Sequence, residues 1–148
     1  MNITWHCKAF NDLTSNELYQ VVHLRNEVFV VEQNCVFQDA DNKDQQCFHL
    51  MGFIENDLAA YTRLAPPGYI YKEPSIGRVV TSPAYRNKGL GYELMKKSIE
   101  ECKHIFGDDA IRIGAQYHLK KFYTSFGFKQ VSDIYMEDGI EHIYMLLS

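Results

Sequence analysis

A short basic loop with two glycines carries the clearest chemical signal in the chain. It reads Arg86-Asn87-Lys88-Gly89-Leu90-Gly91, follows an apolar strand-like run that ends near Thr81, and precedes a long amphipathic run. Helix N-termini present unpaired N–H groups and a partial positive charge, and glycines let an anion approach them. Arg86 and Lys88 add full positive charge. The order of strand, loop and helix therefore predicts a pocket for a pyrophosphate or another phosphate-bearing group.

The spacing of this loop excludes two common nucleotide-binding motifs. No Gly-Lys-Ser/Thr sequence ends it, so it is not the P-loop of nucleoside triphosphatases. The first glycine of G-x-G-x-x-G is absent, so it is not a dinucleotide fingerprint. Taken alone, the loop is also compatible with a helix start that glycine merely loosens.

The bulk composition predicts one domain over residues 1–148. The chain has 148 residues, of which 46% are apolar, and no repeat or linker-like tract interrupts it. A chain of this length buries about two thirds of its unfolded surface. A net charge of −4, scattered along the chain, argues against a nucleic-acid partner. No run approaches the roughly 18 apolar residues that span a bilayer, so no membrane partner is expected.

The cysteines and carboxylates suggest a reducing compartment and no metal. No C-x-x-C pair and no leader-like segment occur, which predicts free thiols and a cytoplasmic location for Cys7, Cys35, Cys47 and Cys102. Asp39-x-Asp41-x-x-Asp44 resembles the start of a calcium loop, but Lys43 occupies a ligand position. We therefore expect no metal ion.

Hydrophobic periodicity predicts alternating strands and helices. One helix begins at the capping box Thr14-x-x-Glu17, a second runs from Gly91 to a stop at Gly107, and a third covers residues 119–126. Extended runs are expected at residues 3–9, 49–55, 58–64, 76–81, 111–115, 128–135 and 140–147. This pattern predicts an α/β fold with a mixed central sheet of about six to seven strands and helices on both faces.

The loop and the segments that follow it resemble a known family. Val79-Val80 with the loop 86–91 looks like motif A of the GNAT superfamily of N-acetyltransferases. Ala115-Gln116, Tyr123 and Gly127-Phe128 are similar to that superfamily's final helix. Four stretches further resemble its ElaA-like branch, namely residues 24–33, 76–79, 114–116 and 137–142. The resemblance covers nearly the whole chain in the right order, and it implies the GNAT fold.

The resemblance implies roles for the donor side of the site. The loop Arg86, Asn87, Lys88, Gly89, Leu90 and Gly91 would hold the pyrophosphate of acetyl-CoA. The strand that carries Val79 and Val80 would splay from its neighbour, so that its backbone binds the cofactor arm and one N–H faces the thioester oxygen. Gln116 would contact the same arm. Tyr123 would protonate the departing thiolate or hydrogen-bond its sulfur.

The residues on the acceptor side are less sharply indicated. An alkylammonium must lose a proton before it attacks a thioester, and the candidate bases are Glu32, Glu137, His118 and His142. Arg25, Glu32 and Arg63 border the acceptor cleft in matching family segments. For the two arginines, paired ions within the fold are an equal alternative.

The function implied is direct acetyl transfer from acetyl-CoA to a small-molecule or peptide amine. Arg25-x-x-Val28-Phe29 followed by an acidic stretch also looks like acyl-homoserine-lactone synthases, which share the fold but usually lack the full Arg-x-x-Gly-x-Gly loop. A non-catalytic CoA-binding module is a further alternative. The apolar C-terminal strand suggests a possible homodimer through strand pairing.

Overall fold

The computed structural model describes residues 2–148, in which eight strands form one mixed sheet. They are β1 (Thr4–Ala9), β2 (Phe48–Ile54), β3 (Asp57–Ala65), β4 (Ser75–Thr81), β5 (Ile111–Gln116), β6 (Lys129–Gln130), β7 (Tyr135–Glu137) and β8 (Ile140–Leu147). The spatial order is β1-β2-β3-β4-β5-β8-β6, and β7 also pairs with β8. β4 and β5 run parallel, and the other neighbouring pairs are antiparallel.

Helices lie on both faces of this sheet, as the sequence predicts. In the described part of the chain they are α1 (Ser15–Arg25), a π-helical continuation (Asn26–Glu32), α2 (Leu90–Phe106) and α3 (Lys120–Thr124). Single 3₁₀ turns occur at Phe10–Asp12, Asp44–Gln46, Pro83–Tyr85 and Tyr117–Leu119. Among the helices of residues 2–148, none is long and apolar enough to cross a membrane.

Helix α1 begins where the sequence predicts, because its first turn is fully capped. The Thr14 side chain accepts from the Glu17 N–H at 3.0 Å, and the Glu17 carboxylate accepts from the Thr14 N–H at 2.8 Å. Two N–H groups that would otherwise lack partners are thereby satisfied. The predicted capping box is confirmed.

Two apolar layers fix the helices to the sheet. On one face, Val21 and Leu24 of α1 and Val28 of the π segment pack against Met51 and Tyr61. On the other, the buried side of α2 packs against the larger cluster that includes Ile111, Ile113, Phe128 and Met145. Each buried side chain of this size contributes about 1.5–3 kcal/mol relative to an exposed one. The predicted loop 86–91 connects the turn after β4 to α2 and so leads from the sheet to the α2 layer.

The strand count differs from the prediction at one place. The predicted strand 128–135 is two short strands, β6 and β7, because residues 132–134 leave the ladder between them, just after the Val131 N–H donates to the Tyr144 carbonyl of β8. Both pair with β8, which also pairs with β5 along Ile111–Gln116. Since β8 has neighbours on both sides, it offers no edge for pairing with a second chain. The homodimer expected from the sequence stays a prediction.

Candidate active site

The two parallel strands at the centre of the sheet diverge, as the resemblance implies. β4 and β5 pair only at Ser75 and Arg112, where the Arg112 N–H donates to the Pro74 carbonyl at 3.0 Å. Beyond this point the side of β4 that faces β5 has no strand partner in residues 2–148. On this side of β4, backbone polar groups of residues 76–81 are therefore available to a ligand or to water, which they need as partners.

A bulge shapes β4 beside this gap. Arg78 has φ 50°, and the register of β3 with β4 shifts between Tyr61 and Arg63. Left-handed backbone is costly for a residue with a side chain, so the surroundings must hold it there. Contacts of the Arg78 guanidinium with Asp39 hold it: Nε lies 2.9 Å from Asp39 Oδ1, and Nη2 donates to the Asp39 carbonyl at 3.0 Å.

A cavity of about 450 Å³ opens at the divergence of the strands. Its walls come from the π segment with the loop after it, from β4, β5 and the turn before α3, and from the β7–β8 turn. Among the residues predicted for the donor side, those that line it are Val79, Val80, Arg86, Gln116 and Tyr123. The volume is within the range of small-molecule sites.

The other loop residues, Asn87–Gly91, follow Arg86 but do not line this cavity. Instead they form the start of α2, which has no side-chain cap. The first helical bond is from the Glu93 N–H to the Gly89 carbonyl, so earlier N–H groups of the turn lack helical partners. Gly89 has φ 74°, and a Cβ built there meets nothing within 4 Å. The predicted open, positively polarised helix start is present, in contrast to the capped start of α1.

Lys88 and Leu90 face away from the cavity. Both border a separate depression with Trp5, and Leu90 is buried against Leu94 of α2. Val80 is likewise a core residue on the α1 side, while Val79 packs toward α2. A ligand would therefore contact the backbone of these residues rather than their side chains.

Arg86 is engaged by an acidic partner across the mouth of the cavity. Its guanidinium donates two parallel hydrogen bonds to Glu32, which ends the π segment. Hydrogen bonding to Arg86, opposed by slight desolvation, lowers the pKa of the Glu32 carboxyl. Glu32 reaches the site through this pair and does not line the cavity itself.

Tyr123 lies at the inner wall of the cavity. It is 5% exposed and packs against Phe122 and Phe128. Burial alone raises the pKa of its phenol to about 12. The group is therefore protonated throughout the physiological range and is available as a hydrogen-bond donor.

Three of the four candidate bases lie on the cavity wall. Glu137, His118 and His142 all line it. The Nδ1 atom of His142 is 2.8 Å from the Ile140 carbonyl, and its Nε2 is 3.5 Å from Glu137 Oε2. Glu32 is the candidate that the structure places elsewhere.

Arg25 and Arg63 are buried in ion pairs and do not line the cavity. Asp44 Oδ1 accepts from Nη1 of both guanidinium groups at 2.9 Å. Arg25 Nε donates to Asp39 at 2.8 Å, and Arg63 donates to both oxygens of Asp41. Contact with an acceptor would require these bonds to break, so the geometry favours the alternative of ion pairs within the fold.

The same network accounts for the calcium-like spacing of Asp39, Asp41 and Asp44. Their carboxylates point at three guanidinium groups, those of Arg25, Arg63 and Arg78. Burial opposes ionisation of Asp41, but the hydrogen bonds and charge of Arg63 hold its pKa at about 2. The network ties loop 39–44 to the β4 bulge and so supports one wall of the cavity.

The sequence and the fold of this chain both match those of known proteins. Residues 25–148 match the model of the family described as the acetyltransferase (GNAT) domain. The chain belongs to the GNAT acetyltransferase family. A UPF0039 protein of Synechocystis is 43% identical over 147 residues, which cover 99% of this chain and 96% of that protein.

The chain lies in the ElaA-like branch of the GNAT family. ElaA of Escherichia coli is 41% identical, covering 97% of this chain and 95% of that protein, and its crystal structure superposes with a TM-score of 0.93. An acyl-CoA N-acyltransferase from Pseudomonas aeruginosa has a TM-score of 0.95 at 40% identity, covering 99% of this chain and 100% of the other. The expected GNAT fold is confirmed.

Several residues of this GNAT site were not singled out from the sequence. Phe29, Gln33 and Phe37 line the cavity from the π segment and its following loop. Hydrophobic spacing gives no sign that α1 continues with a wider turn, although such segments are frequent at functional sites. The sequence does contain a signal for the bulge at Gly77-Arg78, because a glycine inside a strand often marks a bulge.

Proposed function

We propose that this protein is an acetyl-CoA-dependent N-acetyltransferase that transfers the acetyl group directly to an amine. One observation carries the proposal: the cavity between the diverging strands extends from Arg86, which lies three residues before the uncapped start of α2 at Gly89, to the buried Tyr123. A pyrophosphate group fits the first place and a reacting thioester the second. The P. aeruginosa relative, described as an acyl-CoA N-acyltransferase, supports this choice of donor.

The residues present fit coenzyme A as the donor. Unpartnered N–H groups around Gly89 suit a pyrophosphate, and no Cβ obstructs them. The unpaired side of β4 suits the amide groups of an extended pantetheine arm. Acetyl-CoA would supply the activated acyl group.

The backbone of β4 performs the polarising role in this proposal. An N–H near Val80 that faces the cavity would donate to the thioester oxygen as negative charge develops there. A pre-oriented donor of this kind contributes about 3 kcal/mol to catalysis. The bulge at Arg78 and its ion pairs hold this stretch of backbone in place.

Tyr123 stabilises the leaving group as a hydrogen-bond donor. With a pKa of about 12, complete transfer of its proton to a thiolate of ordinary pKa near 8.5 is uphill by about 5 kcal/mol. A hydrogen bond to the departing sulfur carries no such penalty. The buried phenol therefore favours the second of the two roles that the resemblance implies.

The acceptor side suits a cationic amine. Glu137 and Asp138 stand on the cavity wall at the β7–β8 turn, where two carboxylates attract an ammonium group. We expect a small-molecule or peptide amine as partner and a cytoplasmic location. The acyl-homoserine-lactone-synthase-like alternative ranks lower because the complete loop 86–91 is present.

Thiol release from acetyl-CoA against a panel of amines tests the proposal. Wild type should turn over at least one amine, and Tyr123→Phe should reduce kcat while CoA still binds in calorimetry. Tyr117→Phe, at a tyrosine near Tyr123 in sequence that does not line the cavity, is the matched control. Absence of CoA binding would overturn the proposal, and CoA binding without turnover of any amine would replace it with the binding-module alternative. Transfer only to an acceptor that then closes to a lactone would favour the synthase alternative.

A further inference from the structure

One histidine on the cavity wall is held in a defined orientation. His142 lies in β8 opposite Gln116 of β5 and Tyr135 of β7, and it is 7% exposed. Its side chain lines the same cavity as Tyr123. The small exposed fraction means that the imidazole is largely shielded from bulk solvent.

The hydrogen bond at Nδ1 fixes the tautomer of this imidazole. Nδ1 of His142 is 2.8 Å from the carbonyl oxygen of Ile140. A carbonyl only accepts, so Nδ1 must carry the hydrogen. In the neutral ring, Nε2 then has a free lone pair.

Glu137 stands where it stabilises the protonated ring. Its Oε2 lies 3.5 Å from His142 Nε2, which is too long for a strong hydrogen bond but close for an ion pair. The lone pair is therefore left available, while an imidazolium formed there gains a counter-charge. Orientation at one nitrogen and charge stabilisation of the cation are the two supports that a catalytic imidazole needs.

We propose that Nε2 of His142 is the general base that deprotonates the acceptor amine, with Glu137 as its positioning partner. This inference rests on the proposed N-acetyltransferase function. An N–H bond of the ammonium breaks and its proton goes to Nε2. The freed lone pair forms the C–N bond to the acyl carbon as the C–S bond breaks. The second proton lost from nitrogen goes to the departing sulfur, and the imidazolium releases its proton to water.

The other candidate bases are less suited. Both oxygens of Glu32 are bonded to Arg86, and Glu32 does not line the cavity. The side chain of Glu137 is 58% exposed, and a solvated carboxylate is a weaker base than imidazole. His118 lines the cavity from the exposed 3₁₀ turn before α3, without a described hydrogen bond that orients its ring.

The charged and titratable surroundings of His142 come from several elements. From β7, Glu137 and the Tyr135 ring face it, the ring at 5.8 Å between centroids. β5 contributes the neutral Gln116. Elsewhere on the cavity wall are Asp138, His118, Arg78 and Arg86, along with Cys35 and Tyr123. Glu137 is the negative group in direct ion-pair range.

The test compares His142→Gln with His104→Gln, at an exposed histidine in the last turn of α2 away from the cavity, in the full-length protein and with an amine that wild type acetylates. His142→Gln should lower kcat/KM for the amine by about 10²- to 10⁴-fold, with an unchanged calorimetric Kd for CoA. Without a base the variant depends on the fraction of the amine that is already neutral, so its kcat/KM for an alkylamine should rise with pH up to the pKa of the amine itself, about 10. A weakly basic aryl amine, already neutral at pH 7, should lose less. His104→Gln should stay within about threefold of wild type, on the scale of ordinary surface substitutions.

Two further variants keep the result decisive if His142→Gln does not fold. Glu137→Gln, at a mostly exposed side chain, should lower kcat/KM for an alkylamine several-fold with an unchanged Kd for CoA, because the imidazolium formed during transfer loses its counter-charge. His142→Ala should regain activity with added imidazole. Retention of wild-type kcat/KM by His142→Gln, or by Glu137→Gln, overturns the assignment. If wild type acetylates no amine, the proposed function itself fails, which is a separate outcome.

Discussion

Both oxygens of the Glu32 carboxylate accept hydrogen bonds from the Arg86 guanidinium, at 2.6 and 2.7 Å. The cation that the sequence assigns to phosphate binding is therefore already neutralised by the end of the π segment. An anionic ligand has to compete with this carboxylate. The Glu32–Arg86 pair therefore couples the conformation of loop 86–91 to the binding of an anionic ligand.

The first prediction concerns this competition. Glu32→Gln should tighten CoA binding by about fivefold or less, because Arg86 is released while the amide keeps the shape of the side chain. Calorimetry at low and high salt checks this, and the gain should shrink at high salt. Glu73→Gln is the matched control, since Glu73 makes a similar pair with Arg112 away from the cavity. Weaker CoA binding in Glu32→Gln would mean that Glu32 positions Arg86 for the ligand.

The second prediction isolates the hydroxyl of Tyr123. Tyr123→Phe keeps the ring against Phe122 and Phe128, so Tm should change by only a few degrees. Loss of one hydrogen bond to the leaving group should lower kcat about 10- to 100-fold. Because burial raises the pKa of the phenol to about 12, the wild-type rate should show no limb from Tyr123 between pH 6 and 10. Stopped-flow or steady-state profiles of both proteins measure this, and a basic limb that vanishes in the variant would contradict it.

The third prediction tests the open start of α2. Gly89→Glu should raise the Kd for CoA more than about tenfold, because it places a carboxylate where the helix favours an anion. Gly68→Glu is its control: Gly68 has a similar φ of 81° and equally open surroundings, but lies in the loop between β3 and β4 and not at the start of a helix. Both substitutions strain a left-handed backbone, so their Tm values should fall alike. Equal loss of CoA affinity in the two variants would show that the effect is strain alone.

The fourth prediction concerns stability at acid pH. Burial opposes ionisation of Asp41, yet Arg63 and Arg78 hold its pKa at about 2, below the ordinary value of 3.8. The carboxylate therefore stabilises the fold above pH 4, and this contribution is lost as the pH falls from about 4 to 2. Asp41→Asn should lower Tm at pH 7 and flatten the decline in this window. Asp109→Asn, in an exposed turn, should follow wild type in a melting series from pH 7 to 2.

Local sequence patterns predicted most of the helices and strands and the loop on the donor side of the site. The Thr14–Glu17 capping box, the stop at Gly107 and the placement of loop 86–91 between strand and helix all depend on neighbours a few residues apart. Such features follow from backbone chemistry and can be read directly. The family resemblance added Tyr123, which periodicity alone would assign to the core.

The remaining features depend on contacts between distant segments. Arg25 and Arg63 meet Asp44 across 19 residues of chain, and nothing local distinguishes a buried ion pair from an acceptor contact. The ion pair of His142 with Glu137 crosses a hairpin turn whose register the sequence did not define, although the carbonyl that orients the ring, that of Ile140, is only two residues away. The break between β6 and β7 was hidden for the same reason, since short strands are decided by their partners.

The uncapped start of α2 has a consequence for how long the folded protein lasts. A ligand that binds only the folded form raises its stability in proportion to the logarithm of its concentration, by about 2.7 kcal/mol at a hundredfold excess over Kd. A bound pyrophosphate would complete the cap that the sequence leaves out. Preparations stripped of coenzyme should therefore melt earlier and be proteolysed faster than saturated ones, so that the protein's lifetime follows the supply of its own donor.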